Sequence, residues 1–140
     1  MDAGWLNGIT DTIIRCGIEV HRTIGPGLLE SAYEECLGYE LGQAGLRVRR
    51  QVPLPVVYKG VRLNCGYRLD LFVEGAVVVE LKTVEQLLPV HEAQLLTYLK
   101  LSGATLGLLM NFQSATLRYG LRRLVNHFPD PSAPLRLCGE

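Results

Sequence analysis

The chain has no excess charge of either sign: fourteen Lys and Arg are matched by fourteen Asp and Glu in 140 residues. That balance argues against a general nucleic-acid coat or a membrane-surface protein, although it leaves room for local patches. No stretch approaches the ~18 consecutive apolar residues of a membrane-spanning helix. The opening MDAGWLNGITDT has neither the basic start nor the apolar run of a secretion signal. No membrane partner and a cytoplasmic location are therefore expected. Close cysteine pairs are missing too. Cys16, Cys36, Cys65 and Cys138 are scattered, with no CxxC or CxxxC spacing. This speaks against a cysteine-held zinc or iron–sulfur site and for free thiols in a reducing compartment. There is also no internal repeat and no linker. What is present, 48% hydrophobic and 20% charged residues, suits one domain with a core of its own.

Ile9, Ile13, Cys16, Val20 and Ile24 recur at helical spacing and predict an amphipathic helix over about 9–23, broken by GPG at 25–27. A second helix turns Leu29, Tyr33, Leu37 and Leu41 inward and ends near Gly42 or Gly45. RVRRQVPLPVVYKGVRLNCGYRLDLFVEGAVVVELKTV reads as a meander of three strands, with turns at Lys59-Gly60 and Glu74-Gly75. Pro53 and Pro55 mark its first strand as an edge or an irregular one. Pro89 opens a third helix, PVHEAQLLTYLKLSG, which Gly103 closes. ATLGLLMNF suits a strand covered on both faces, and YGLRRLVN one more strand. The order ααβββαββ predicts an α/β fold, a mixed sheet flanked by helices. One domain is expected over 1–126, followed by a loose, proline-rich tail, HFPDPSAPLRLCGE, over 127–140.

Within YRLDLFVEGAVVVELKTVE, at 67–85, charges interrupt apolar strands. Residues two apart on a strand share a face, so Glu80 and Lys82 project together. Asp70 joins them only if position 70 pairs with position 80, which needs a three-residue loop, Glu74-Gly75-Ala76, or a bulge. A two-residue turn would send Asp70 to the other face. In the productive register the two carboxylates stand about 5 Å apart. They repel unless a cation separates them, and hard oxygen donors at that spacing suit Mg²⁺ or Mn²⁺. Lys82 beside such an ion orients or deprotonates water, or stabilises charge on a phosphate. The plainer alternative is a solvated polar face with cross-strand ion pairs. Gln94 and Tyr98, four apart, share a helix face with His91 on an otherwise leucine-rich helix. Glu30 also suits a first-turn helix acid, His21 a partly buried structural histidine, and His91 and Glu92 an ordinary helix N-terminal turn.

The spacing of Asp70 and the Glu80-Leu81-Lys82 triplet across a hairpin resembles the signature of the PD-(D/E)XK nuclease superfamily, with LD at 69–70 where the name has PD. GPGLLESAYEECL, YRLDLFVEGAVVVELKTVE and PVHEAQLLTYLKL together resemble the GxxExxY family, whose name corresponds here to Gly27, Glu30 and Tyr33. The likeness spans roughly 9–126 and implies a restriction-endonuclease-like fold. It further implies metal ligation by Asp70, Glu80 and the Leu81 carbonyl, with Lys82 as catalytic lysine. Glu30 matches an acidic residue on the helix before the sheet, Gln94 and Tyr98 the QxxxY motif of the RecB-like branch, and His21 that branch's upstream histidine ligand. The branch's cluster cysteines are absent.

The reading is therefore a metal-dependent nuclease acting on DNA or RNA, DNA taking precedence, with a homodimer or a protein partner left open. Arg47, Arg49, Arg50, Arg62 and Arg68 are candidates for phosphate contact, or else a solvated edge. The alternatives are a non-catalytic nucleic-acid- or protein-binding module on the same fold, and a structural subunit of a larger assembly.

Overall fold

The computed structural model of the protein describes residues 2–126. The expected loose tail at 127–140, and Cys138 with it, lie outside that range. Helix α1 runs Ala3–Ile24, starting six residues before the sequence periodicity suggests. Gly4 and Gly8, weak helix formers, hide this first stretch. It forms because the Asp2 side chain accepts from the Trp5 N–H (2.7 Å) and because Leu6 is fully buried. The buried stripe continues through Ile9, Ile13, Cys16 and Val20, whereas Ile24 at the end is exposed. Gly25, at φ 67°, stops the helix. Helix α2, Glu30–Gln43, buries Tyr33, Leu37 and Leu41 completely. Leu29 does not point inward as expected: it is the residue before the helix and is 77% exposed.

Five strands follow where three were expected: β1 Val48–Pro53, β2 Val56–Tyr58, β3 Val61–Leu63, β4 Arg68–Val73 and β5 Val77–Lys82. Helix α3, Pro89–Ser102, then leads to β6, Leu106–Asn111, and a 3₁₀ turn at Leu117–Gly120 precedes β7, Leu121–Val125. The main sheet has the order β1-β4-β5-β6-β7, while among the described residues β2 and β3 pair only with each other. Without that small hairpin, the elements follow the expected order ααβββαββ. The extra pair arises because the chain leaves the edge strand after Pro53. Pro55 cannot donate to a ladder, and Lys59 and Gly60, both at positive φ (49° and 78°), close a tight hairpin turn.

β1, β4 and β5 are antiparallel; β5 and β6 are parallel, joined through α3; β7 returns antiparallel at the far edge. Side chains of α1 and α2 form one core layer with Leu71, Val73, Val77, Val79, Leu81, Leu106, Leu108 and Met110. On the opposite face α3 packs Leu95, Tyr98 and Leu99 with Leu54, Leu69, Val78 and Leu109. β6 is buried at every residue, as its apolar run predicts. The αL conformation of Gly103 ends α3. The Leu88 N–H donates to His91 Nδ1 (2.9 Å), so His91 serves the helix start.

Of the described glycines, Gly120, where the 3₁₀ turn meets the end of β6, leaves the least room for a side chain. A Cβ on Gly120 would stand 2.5 Å from the Asn111 carbonyl oxygen, which cannot retreat. Gly120→Ala is therefore expected to lower stability by about 1–3 kcal/mol. Gly8→Ala, in open space on α1, should raise it by up to about 1 kcal/mol. Urea denaturation of the two variants beside the parent checks both; equal midpoints would contradict this packing.

Candidate active site

The β4–β5 ladder pairs Val73 with Val77, Phe72 with Val78 and Leu71 with Val79. The loop is thus Glu74-Gly75-Ala76, the register that brings Asp70 opposite Glu80. At that step side chains replace the backbone ladder. The Asp70 N–H donates to Glu80 Oε1 (3.1 Å), and the Leu81 N–H donates to Asp70 Oδ2 (2.9 Å). Each carboxyl group therefore occupies a backbone donor of the opposite strand.

A matching irregularity lies on the other side of β4. Arg50 pairs with Leu71 and Val52 with Leu69, but Gln51 sits between them at φ 49°. Leu69 and Leu71 would share a face in a regular strand. Here Leu71 packs with the α1–α2 layer, whereas Leu69 and Val52 pack with the α3 layer. β4 changes faces at residue 70 while β5 keeps its alternation, and Asp70 is left at the crossover.

Several side chains hold this crossover. Gln51 Nε2 donates to Asp70 Oδ1 (3.3 Å) and to Glu34 Oε1 (2.5 Å). Glu34, buried on α2, also accepts from Arg50 Nε and Nη2 (3.1 and 2.8 Å). A cleft of about 470 Å³ opens here, lined by Glu30, Ser31, Glu34, Gln51, Asp70 and Leu81. The N–H of Leu81 faces Asp70, and the carbonyl of the same strand residue projects to the same side. Glu30, the first residue of α2, is raised above the ordinary carboxyl range by desolvation. Lys82 counters that rise, and Asp70 adds to it. The loop delivering Glu30 is shaped by Gly27, at φ 110°, and by Tyr33. The Tyr33 hydroxyl donates to the Gly25 carbonyl (2.6 Å) and accepts from the Leu28 N–H (3.2 Å).

On the α3 side, Lys82 Nζ donates to Gln94 Oε1 (3.1 Å), and Gln94 Nε2 donates to the Tyr98 hydroxyl (3.1 Å). Tyr98 also feels Glu80 and Asp70, whose charges help burial to raise its phenol. Burial in the strand, with the Asp70 charge alongside, pushes the Glu80 carboxyl up to about 9. The two carboxyl groups thus avoid mutual repulsion in the metal-free protein by keeping a proton.

Asp70, Glu80, Leu81, Lys82, Glu30, Gln94 and Tyr98 accordingly gather around one stretch of β5. His21 is engaged elsewhere: its Nε2 is hydrogen-bonded to the Ser114 carbonyl (2.8 Å) and its ring is tilted against Phe112. The structural-histidine alternative describes that placement. The five arginines divide. Arg47 pairs with Glu74, and Arg50 with Glu34 and Glu35. Arg68 donates to the Gln51 carbonyl (3.3 Å). Sequence reasoning missed Gln51, the role of Glu34, and Asn111. Asn111, 1% exposed, accepts from the Val84 N–H (3.1 Å) and donates to the Val84 carbonyl (2.8 Å), fixing the chain just beyond Lys82. The one available signal was a polar residue ending the all-apolar run of β6. Among the described residues, no three His, Cys, Asp or Glu side chains form a ready-made metal cluster. The donor set is two opposed carboxyl groups, a carbonyl and a carboxylate at the rim, all hard oxygens, which suits a hard divalent cation.

A mixed five-stranded sheet with this hairpin site defines a restriction-endonuclease-like α/β fold. The model of the PD-(D/E)XK nuclease superfamily matches residues 7–124, and the chain belongs to that superfamily. No curated protein and no solved structure matches it. No described helix is long and apolar enough to cross a membrane.

The proton on Glu80 has a consequence for stability. The folded protein holds it, whereas the unfolded chain releases it near the ordinary carboxyl value of 4.5. Stability of the metal-free protein therefore declines as pH rises from that value towards 9. Glu80→Gln should remove this contribution, so its advantage over the parent grows with pH. Thermal melts in EDTA across this range check it; a constant difference between parent and variant would contradict the assignment.

Proposed function

We propose that the protein is a divalent-metal-dependent nuclease that hydrolyses phosphodiester bonds, in DNA ahead of RNA, with Mg²⁺ or Mn²⁺. The observation that carries this reading is the meeting of Asp70 and Glu80 where β4 and β5 part, with Lys82 next along the strand. Asp70, Glu80 and the Leu81 carbonyl would hold the ion, and Glu30 at the rim would complete its shell directly or through water. When bound, the ion supplies a Lewis acid for a phosphate oxygen and acidifies a water. His21 is left out, its Nε2 being used by Ser114.

The chain's own residues do the rest. Lys82 directs its ammonium group along the Gln94–Tyr98 relay, where it can orient an attacking water or stabilise charge on the phosphate. Gln51, itself tied to buried Glu34, fixes the direction of Asp70. We also assign the chain to the GxxExxY family and read Gln94 and Tyr98 as the QxxxY motif of the RecB-like branch. Gly27 and Tyr33 then serve to present Glu30. Cytoplasmic action belongs to this proposal and accords with the free thiols of Cys16, Cys36 and Cys65.

One observation favours a binding-only module: only two carboxyl groups oppose each other, without a third clustered ligand side chain among the described residues. Titration of Mg²⁺ and Mn²⁺ with single- and double-stranded DNA and RNA separates the readings. Lys82→Ala should reduce cleavage at least about 100-fold, leaving melting temperature and nucleic-acid binding near parental. Asp70→Asn should abolish metal-dependent cleavage and weaken Mn²⁺ binding in calorimetry. Gln94→Ala and Tyr98→Phe should lose about 10–100-fold, as residues supporting the site do. A parent that cuts none of these substrates with either ion would leave the binding module as the reading.

A further inference from the structure

Between Pro53 and Arg68, paired neighbours at the sheet edge, the chain makes an excursion that the sheet does not need. Its neck is closed by the Leu54 N–H donating to the Tyr67 carbonyl (2.8 Å), and Leu54 is anchored in the α3 layer. Beyond the neck, β2 and β3 form a two-stranded arm with no further strand beside it among the described residues. Two strands alone are marginal in water, and this pair leaves Val57, Tyr58, Val61 and Leu63 substantially exposed, at 62%, 59%, 55% and 41%. Such an arm invites a partner, and three observations say which.

The first is charge. From Arg47 to Leu69 the sequence holds Arg47, Arg49, Arg50, Lys59, Arg62 and Arg68 and no acidic residue. Among the described residues, Lys59, Arg62 and Arg68 form no salt bridge with a carboxylate. The second is aromatic surface: Tyr58 and Tyr67 are about half exposed, with Lys59 Nζ 5.4 Å from the Tyr58 ring centre. The third is position. The Tyr67 ring lies 5.9 Å from that of Tyr98, whose hydroxyl belongs to the Lys82 relay. Arg68 donates to the carbonyl of Gln51, the residue that holds Asp70. The return root of the arm, Tyr67-Arg68, thus abuts the site.

We infer that the arm is the site's nucleic-acid clamp, and that it takes a single-stranded segment. Lys59 and Arg62 meet its phosphates, and Tyr67 stacks on a base next to the reacting bond. A duplex offers the same phosphates but keeps its base faces covered, so exposed rings beside a site select unpaired bases. The inference rests on the nuclease reading for the nature of its occupant.

The test is binding in EDTA, where nothing is cut. Fluorescence anisotropy compares a mixed-sequence single-stranded oligonucleotide with its duplex. The parent should bind the single strand more tightly. The double variant Lys59→Gln, Arg62→Gln should bind it about tenfold more weakly, with the slope of log affinity against log salt reduced by about 1.4. Tyr67→Ala should lose about fivefold or more, and Tyr67→Phe, which keeps the ring, should not. Cys65, the exposed thiol on the return leg of the arm, should be protected from alkylation by the oligonucleotide. Melting temperatures establish that the variants are folded. Unchanged affinities with Cys65 unprotected would overturn the clamp. So would variants that lose self-association in sedimentation while binding nucleic acid normally, since the arm would then serve a second copy. Failure of the two readings is distinguishable. A parent that binds through the arm yet never cleaves keeps the clamp and loses the nuclease; arm variants that bind and cleave like the parent do the reverse.

Discussion

The site depends on one constraint: the Glu80 carboxyl, 4% exposed, sits in the central strand of the sheet directly opposite Asp70. Two ionised carboxylates at cross-strand distance in that setting would repel strongly, and burial magnifies the penalty. Burial and the Asp70 charge raise the Glu80 carboxyl to about 9, so that it keeps its proton, and backbone donors serve both groups. Those donors are taken from the ladder, so β4 and β5 cannot continue pairing there. The strands part, β4 changes faces at residue 70, and β1 bends with it at Gln51. A cleft results because a regular sheet and a buried acidic pair are incompatible at one position.

The surrounding ties follow from that opening. Asp70, no longer fixed by a regular strand, is steadied by Gln51, which is steadied in turn by buried Glu34, whose charge Arg50 balances. This chain links the sheet edge to α2, the helix that also carries Glu30. On the other face, Lys82 is directed by Gln94 and Tyr98 from α3. Each helix layer therefore contributes polar groups to a single break in the sheet, and the break is reached from both sides.

Much of this was legible in the sequence because it followed from period and register. Alternation in VVVELK put Glu80 and Lys82 together, whereas the register of Asp70 stayed open between a two-residue turn and a three-residue loop, and the structure has the loop that sets it opposite Glu80. The i, i+4 spacing of Gln94 and Tyr98 gave their shared face. Other features depended on tertiary packing and left no periodic trace. Gln51 adopts positive φ although nothing in RRQVP marks it as a turn. Leu29 looked like a core residue by spacing, but the helix starts after it. The β2–β3 arm was concealed because its short apolar runs read as continuations of neighbouring strands; Pro55 and Lys59-Gly60 were its only signals. His21, following Ile14 and Ile18 at helical spacing, suited a partly buried histidine, yet spacing could not foresee that the Ser114 carbonyl would claim its ring nitrogen.

The zero net charge is also misleading when taken over the whole chain. Six of the fourteen basic residues fall between Arg47 and Leu69, where there is no acid, whereas the acids of the site lie on α2, β4 and β5. Arg47 and Arg50 are paired with glutamates at the sheet edge, and the arm itself sets Lys59 and Arg62, with Arg68 at its root, beside the acidic cleft. For a polyanion these two features oppose each other: the arm attracts it, and the carboxylates repel it. Glu80 lessens that repulsion while it keeps its proton. On the proposed nuclease reading, substrate approach and cation binding would be coupled through the same buried carboxyl group. A phosphate held by the proposed clamp would then favour a positive charge between Asp70 and Glu80, and that charge the phosphate, as linkage between two ligands on one protein requires.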